Sequence, residues 1–312
     1  MIRLTDIAEH LGLSVTTVSY SLNNDQRIPP ATRQRVIDAA RELGYTGKSG
    51  RTTSSGDYLK QVVLCINSLS GGIYNELISE MKSTLKVNNC ELMIYLGSNI
   101  SQIKWLDGLF VLNSRVSTND IIKMTNRRIP VVVMDRETTI DNTSRVTLDN
   151  FGGCYETTLY ALNAGAKSFV FIGGPKESFE SRLRYNGFIK ALDDNKIATS
   201  ESSLLQTDFS FEGGIKACRF ILEESALPDA IICANDETAM GIITELKRQN
   251  IRKNIIVTGF DGVPPKDGCR FVTAKVDRKY WASTAVYTMI KKFEHGTDQN
   301  IKVPVKEIDY NY

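Results

Sequence analysis

Residues 3–45 read RLTDIAEHLGLSVTTVSYSLNNDQRIPPATRQRVIDAARELGY, and their apolar positions return at helical spacing. Ile7, Ala8 and Leu11 share one face, Val15, Val18 and Leu22 a second, and Val36, Ala39, Ala40 and Leu43 a third. This spacing predicts three short helices, and no strand alternation competes with it. Gly12-Leu13-Ser14 separates the first two: Gly12 suits the positive φ of a tight turn and Ser14 can cap the second helix. The third starts near Pro29-Pro30 and stops at Gly44. In a helix-turn-helix, exposed residues near the start of the second helix reach base edges in the major groove. Here those are Ser14, Val15, Thr16, Thr17, Ser19 and Tyr20, with Thr5 and Asn23 completing the candidate DNA-contact set. Their hydroxyls suit bases and phosphates, and Val15 and the threonine methyls suit thymine methyl groups. A plain three-helix packing unit with a polar face has the same periodicity.

The motif separates the two readings. The segment closely resembles the headpiece of the lactose-repressor family, whose pattern runs D-[IV]-A-x-x-[AL]-G-[VL]-S-x-x-T-V-S and closes its last helix with L-G-Y. The resemblance implies a sequence-specific DNA-binding regulator. One position departs from it: the family usually carries Arg directly after T-V-S, where this chain has Tyr20, so the guanidinium contact does not carry over.

Outward from the headpiece, residues 46–57 (TGKSGRTTSSGD) contain no large apolar side chain, and their Gly and Ser content predicts a flexible tether and a domain boundary. The family commonly has a Pro-Asn start here and a leucine that wedges into the minor groove from a hinge helix. This chain has Gly47-Lys48 and Ser54 at those places. A linker without a hinge helix is expected, with Lys48 and Arg51 left to contact phosphates.

From Lys60 onward, short apolar runs alternate with helical patterns. Strands are expected near 61–66, 92–96, 108–112, 131–134, 145–148, 168–172, 230–233, 255–259 and 271–275. Helices are expected near 73–87, 118–126, 152–163, 181–193, 211–223, 236–249 and 278–294. The alternation is that of βαβ units and parallel sheets, and about 250 residues of it exceed one typical domain.

The family resemblance continues through Val133-Met134-Asp135-Arg136, Phe171-Ile172-Gly173-Gly174-Pro175, Ala234-Asn235-Asp236-Glu237 and Gly259-Phe260-Asp261. It implies an α/β fold of the periplasmic-binding-protein kind: two parallel-sheet lobes joined by three crossovers, a small ligand in the cleft and a homodimer. The expected division is a headpiece at 1–45, a linker at 46–59 and an effector-binding and dimerisation domain at 60–312. Within the last, lobe 1 is expected at 60–163 and 276–296, and lobe 2 at 164–275 and 297–312. By resemblance Arg184, Asn235 and Asp261 hold the effector's polar groups while Tyr74 and Phe209 wall the cleft. A carboxylate, an amide and a guanidinium beside aromatic faces suit a sugar. Tyr74 and Phe209 also fit simple packing, Asp236 fits a helix cap, and Gly173-Gly174 fits a tight turn rather than a phosphate loop. Gly71-Gly72 replaces the family's Asn-Pro, and only nine residues separate Tyr95 from Trp105 where a full helix is usual, so the ligand's identity does not carry over.

Composition narrows the alternatives. The chain has 312 residues, 42% hydrophobic and 24% charged, as a globular protein does, and its apolar runs fall well short of a membrane span. Two histidines at opposite ends leave no metal cluster or histidine-based triad, and six scattered cysteines read as reduced core thiols. The N-terminus lacks the basic start and apolar run of an export signal, so a cytoplasmic location is expected. A transport-type sugar-binding protein and a nucleotide-dependent α/β enzyme are the competing classes. The first needs an export signal and no headpiece, the second needs dinucleotide or phosphate-loop motifs. The expected partners are an approximately palindromic DNA operator and a small effector, with no cofactor.

Overall fold

The structure, a computed structural model, describes residues 2–22, 25, 27–43, 45, 59–67, 69, 72–103, 106–198, 204–224, 226–265 and 268–309. The chain divides into two compact units, residues 1–60 and 61–312.

The first unit holds α1 (Leu4–Leu11), α2 (Val15–Leu22) and α3 (Pro30–Glu42). Gly12 ends α1 at φ 63°, which a side chain would strain, and Ser14 Oγ caps α2 by accepting the Thr17 N–H at 3.0 Å. Ile7, Val18, Val36 and Ala40 are fully buried together, so one residue or more from each helix closes a small core.

The second unit begins with β1 (Lys60–Ile66), α4 (Gly72–Val87), β2 (Cys90–Leu96), β3 (Gly108–Leu112), α5 (Thr118–Asn126), β4 (Val131–Val133) and β5 (Thr143–Leu148). There follow α6 (Asn150–Asn163), β6 (Phe169–Gly173), α7 (Phe179–Asp194), β7 (Leu204–Gln206), α8 (Phe211–Leu222), β8 (Ala230–Cys233) and α9 (Asp236–Arg248). The unit closes with β9 (Ile256–Asp261), β10 (Val272–Lys275), α10 (Arg278–His295), β11 (Asn300–Val303) and β12 (Glu307–Asp309).

Two six-stranded sheets result, ordered β11-β5-β4-β3-β1-β2 and β12-β10-β9-β8-β6-β7. The central pairings are parallel, and β12 joins β10 antiparallel. Helices cover both faces, as continuous apolar strands require. In β1, Val62, Leu64 and Ile66 pack with Leu77 and Met81 of α4 and Trp281 of α10, while Val63 and Cys65 face Ile121 and Met124 of α5. The chain crosses between sheets after β5, β10 and β11.

The lobe limits differ from the sequence reading at two places. Helix α6 packs on α7 and on β8 to β10, so the second lobe takes up the chain directly after β5, not at residue 164. Strand β11 pairs with β5, so residues 300–303 belong to the first lobe's sheet. Both errors lie at crossovers, where local pattern carries no information about which sheet receives the segment. Strands β7, β11 and β12 also went unread: Leu204-Leu205-Gln206, Asn300-Ile301-Lys302-Val303 and Glu307-Ile308-Asp309 mix polar with apolar residues and lack the continuous apolar run that marks the equally short β4 and β8.

Candidate functional site

On the headpiece, Thr16, Val15 and Tyr20 are exposed along α2, and Thr5 is exposed on α1. Ser14 and Thr17 are partly committed to structure: their hydroxyls lie 2.8 Å apart in the cap of α2. Ser19 is half-buried. Asn23, Lys48 and Arg51, and with them the whole tether, lie outside the described residues. Arg27 escaped the sequence reading. Its guanidinium sits 4.4 Å from the centre of the Tyr20 ring and is ion-paired with Asp25 at 2.7 Å. A cation therefore lies beside the position where Tyr20 replaces the family's arginine. The Asp-Gln-Arg spacing after α2 is the only trace of it in the sequence.

In the second unit a cavity of about 660 Å³ opens between the sheets, where the carboxyl ends of open parallel strands converge. Tyr74, Leu112, Ser114, Met134 and Trp281 line it from the first lobe, and Asn150, Glu180, Arg184, Phe209, Asn235 and Asp261 from the second. All five residues expected at a cleft are brought together there.

Arg184, on α7, is 5% exposed. Its Nε donates to Asn150 Oδ1 at 2.8 Å, its Nη1 donates to the Ala234 carbonyl at 2.5 Å, and its guanidinium lies 3.7 Å from the Phe260 ring centre. Asp261 ends β9 at φ 113°, a conformation non-glycine residues rarely hold. Its Oδ1 is buried, 3.5 Å from Arg184 Nη2, and has no hydrogen bond. Burial pushes the Asp261 carboxyl up to about 6, with Arg184 and Arg278 opposing. Tyr74 is pushed up to about 12 by burial and by Glu180, Asp261 and Asp135.

Asn235, not Asp236, caps α9: Asn235 Oδ1 accepts the Thr238 N–H at 3.3 Å, and its amide donates to the Phe209 carbonyl at 2.9 Å. Asp236 lies one residue inside the helix, fully buried, accepting the Val263 N–H at 2.6 Å and the Thr273 hydroxyl at 2.7 Å. It thereby ties the loop after β9, and β10, to α9. Gly173 ends β6 and Gly174 opens the loop that turns at residues 176–177, and neither glycine has positive φ. A Cβ on Gly174 would stand 2.1 Å from Phe209 Cζ, so glycine is needed there to let the ring lie against the chain.

Sequence reading missed Asn150, Ser114, Glu180 and Asp135 as parts of one place. Glu180 Oε2 accepts from Ser178 Oγ at 2.8 Å and, across the lobes, from Ser114 Oγ at 3.3 Å. Asp135, 1% exposed, accepts from Arg136 Nε at 3.0 Å through Oδ1, whereas its Oδ2 has no partner. Burial and then Glu180 push the Asp135 carboxyl up to about 7. The guanidinium of Arg136 lies 4.6 Å from the ring centre of Phe179 in the other lobe. Among the described residues no group of three His, Cys, Asp or Glu side chains is placed to hold a metal ion, and no helix is long and apolar enough to cross a membrane.

Residues 3–47 match the model of "Bacterial regulatory proteins, lacI family", and residues 99–276 match "Periplasmic binding proteins and sugar binding domain of LacI family". The chain is 30% identical over 279 residues to the HTH-type transcriptional repressor PurR of Erwinia tasmaniensis, covering 84% of this chain and 81% of that protein. Its fold is that of the transcriptional regulator CelR in complex with cellobiose (TM-score 0.71, 19% identity, 100% of this chain and 99% of the other). It is equally that of the lac repressor dimer bound to operator and an anti-inducer (TM-score 0.69, 21% identity, 99% and 98%). The chain belongs to the lacI family of bacterial regulatory proteins, and is a DNA-binding transcriptional regulator whose second unit is an effector-binding domain.

Proposed function

We propose that the protein is a cytoplasmic, homodimeric repressor that binds an approximately palindromic operator and releases or tightens it when a sugar or sugar derivative occupies the interlobe cavity. The observation that carries the effector reading is the convergence of Tyr74, Arg184, Phe209, Asn235 and Asp261, drawn from both lobes, on one cavity. Fixed donors and acceptors beside aromatic walls suit a polyhydroxylated ring. The cellobiose held by CelR, a protein of the same fold, points the same way.

In this reading residues 1–45 form the DNA-binding headpiece, residues 46–59 a linker, and residues 60–312 the effector-binding and dimerisation domain. Thr5, Ser14, Val15, Thr16, Thr17, Ser19, Tyr20 and Asn23 face DNA, and Lys48 and Arg51 reach phosphates. Two headpieces related by a twofold axis need two related half-sites. The edge strand β2, with Met93, Ile94 and Leu96 exposed, supports association through the first lobe. The linker's Gly47, Gly50 and Gly56 disfavour a hinge helix, and Ser54 supplies no apolar wedge, so DNA is bent little.

The test is selection of bound sequences from a random DNA library, followed by affinity measurements on the selected site with and without sugars. Thr16→Ala should weaken binding to the selected site while leaving headpiece melting unchanged. Equal affinity for all sequences at physiological salt would overturn the regulator reading, and gel bending analysis with a sharp central kink would overturn the linker reading.

A further inference from the structure

Five carboxylates line the cavity: Glu177, Glu180, Asp208, Glu237 and Asp261. Two guanidiniums oppose them, and Arg184 spends its Nε and Nη1 on Asn150 and the Ala234 carbonyl and faces Asp261 with its Nη2. The other, Arg115, is exposed at the rim. The wall is therefore acidic, and its acids are not spread evenly. Glu180 and Asp261 line it together with Tyr74, so two carboxyls of the second lobe share the cavity with an aromatic ring of the first.

Two further observations point to a ligand at this place. Asp261, 7% exposed, lines the cavity from a backbone at φ 113°, and its buried Oδ1, 3.5 Å from Arg184 Nη2, accepts no hydrogen bond. Glu180, at the start of α7 in the second lobe, also lines the cavity and already reaches across to Ser114 Oγ of the first lobe at 3.3 Å. Acceptors that lack donors are what an ammonium group satisfies, since it has three N–H donors and no acceptor. A phosphate or carboxylate would meet like charge on most of this wall. Neutralising Glu180 would also ease its repulsion of the buried Asp135 carboxyl across the seam that Ser114 Oγ and Glu180 Oε2 already bridge at 3.3 Å.

Resting on the reading of the cavity as the effector site, we propose that the effector is a monosaccharide bearing an ammonium group, held where Glu180 and Asp261 line the cavity beside Tyr74. The ring hydroxyls engage Arg184 and Asn235, and the ammonium draws the lobes together through Glu180, which Ser114 of the first lobe already meets. Glu180 is thus the residue that selects effector charge.

The test uses the full chain and a matched panel: glucose, galactose and mannose, each beside its 2-amino-2-deoxy form and its 6-phosphate, followed by thermal shift and calorimetry. An amino form should bind at least tenfold more tightly than its parent sugar, the phosphates should not bind, and Glu180→Gln should bring the amino form down to its parent's affinity. A parent sugar or phosphate that binds as tightly as its amino form, an amine preference that survives Glu180→Gln, or the failure of all three amino sugars to bind would each overturn the proposal. The cavity reading survives such a failure if a neutral sugar binds and Asp261→Asn abolishes that binding while the variant stays folded; if no member of the panel binds, both are lost for monosaccharides.

Discussion

Replacing Arg184 by alanine should cost the effector-binding unit about 3–5 kcal/mol, the range for removing one partner of a buried ionic pair. The side chain is 5% exposed and holds four groups at once. Without it, the Asn150 Oδ1 and Ala234 carbonyl lose donors at 2.8 and 2.5 Å, the Phe260 ring loses its cation, and Asp261 keeps a buried charge with no counter-ion at 3.5 Å. Asp261→Asn removes the other end of the pair and should behave differently. Its Oδ1 forms no hydrogen bond, Arg184 keeps its two other acceptors, and asparagine tolerates positive φ nearly as well as aspartate. Its cost should stay within about 1 kcal/mol, the worth of a single net hydrogen bond. Urea unfolding followed by tryptophan fluorescence measures both, because Trp105 and Trp281 both lie in the second unit and report it alone. An Arg184→Ala loss below about 1 kcal/mol, or an Asp261→Asn loss as large as that of Arg184→Ala, would refute the view that Arg184 organises the cavity wall.

Three more outcomes follow from the geometry. Ser14→Ala removes the oxygen that accepts the Thr17 N–H and should cost the headpiece about 1 kcal/mol, seen as a lowered first transition in circular-dichroism melting. Burial and Glu180 raise the Asp135 carboxyl from 3.8 to about 7, so the folded state holds a proton that the unfolded state has released; stability from this group is present below about pH 4 and lost as pH rises through about 7. Asp135→Asn should therefore raise the melting temperature at pH 8, with the gain vanishing toward pH 4, and a gain independent of pH would contradict the assignment. Gly174→Ala forces a Cβ to 2.1 Å from Phe209 Cζ and should cost about 1–3 kcal/mol, a penalty that disappears in a Phe209→Ala background if that ring is the obstacle.

Much of this protein is legible in local sequence because local physics repeats. The three headpiece helices, the φ 63° of Gly12 and the Ser14 cap follow from spacing and turn chemistry that act over a few residues. The same holds for nine strands and seven helices among the described residues of the second unit, which stand out as apolar runs or as helical periods. Arg184, Asn235 and Asp261 could be picked out only through their family motifs, since nothing in their spacing places residues 184 and 261 side by side.

What the chain's three-dimensional closure decided is everything that depends on distant partners. Whether α6 and β11 join the first or the second sheet is settled by packing against α7 and pairing with β5, neither of which is encoded within the segments themselves. The exchange of roles between Asn235 and Asp236 has the same origin. Both residue types can cap a helix, and it is the approach of the Val263 N–H and the Thr273 hydroxyl, 27 and 37 positions away, that draws Asp236 inward and leaves the cap to Asn235. Glu180 and Asp261 share one cavity with Tyr74 only because two sheets bring the start of α7, the end of β9 and α4 to the same place. Electrostatic and desolvation energies depend on distance in space and on the exclusion of water, and neither quantity is a function of position along the chain.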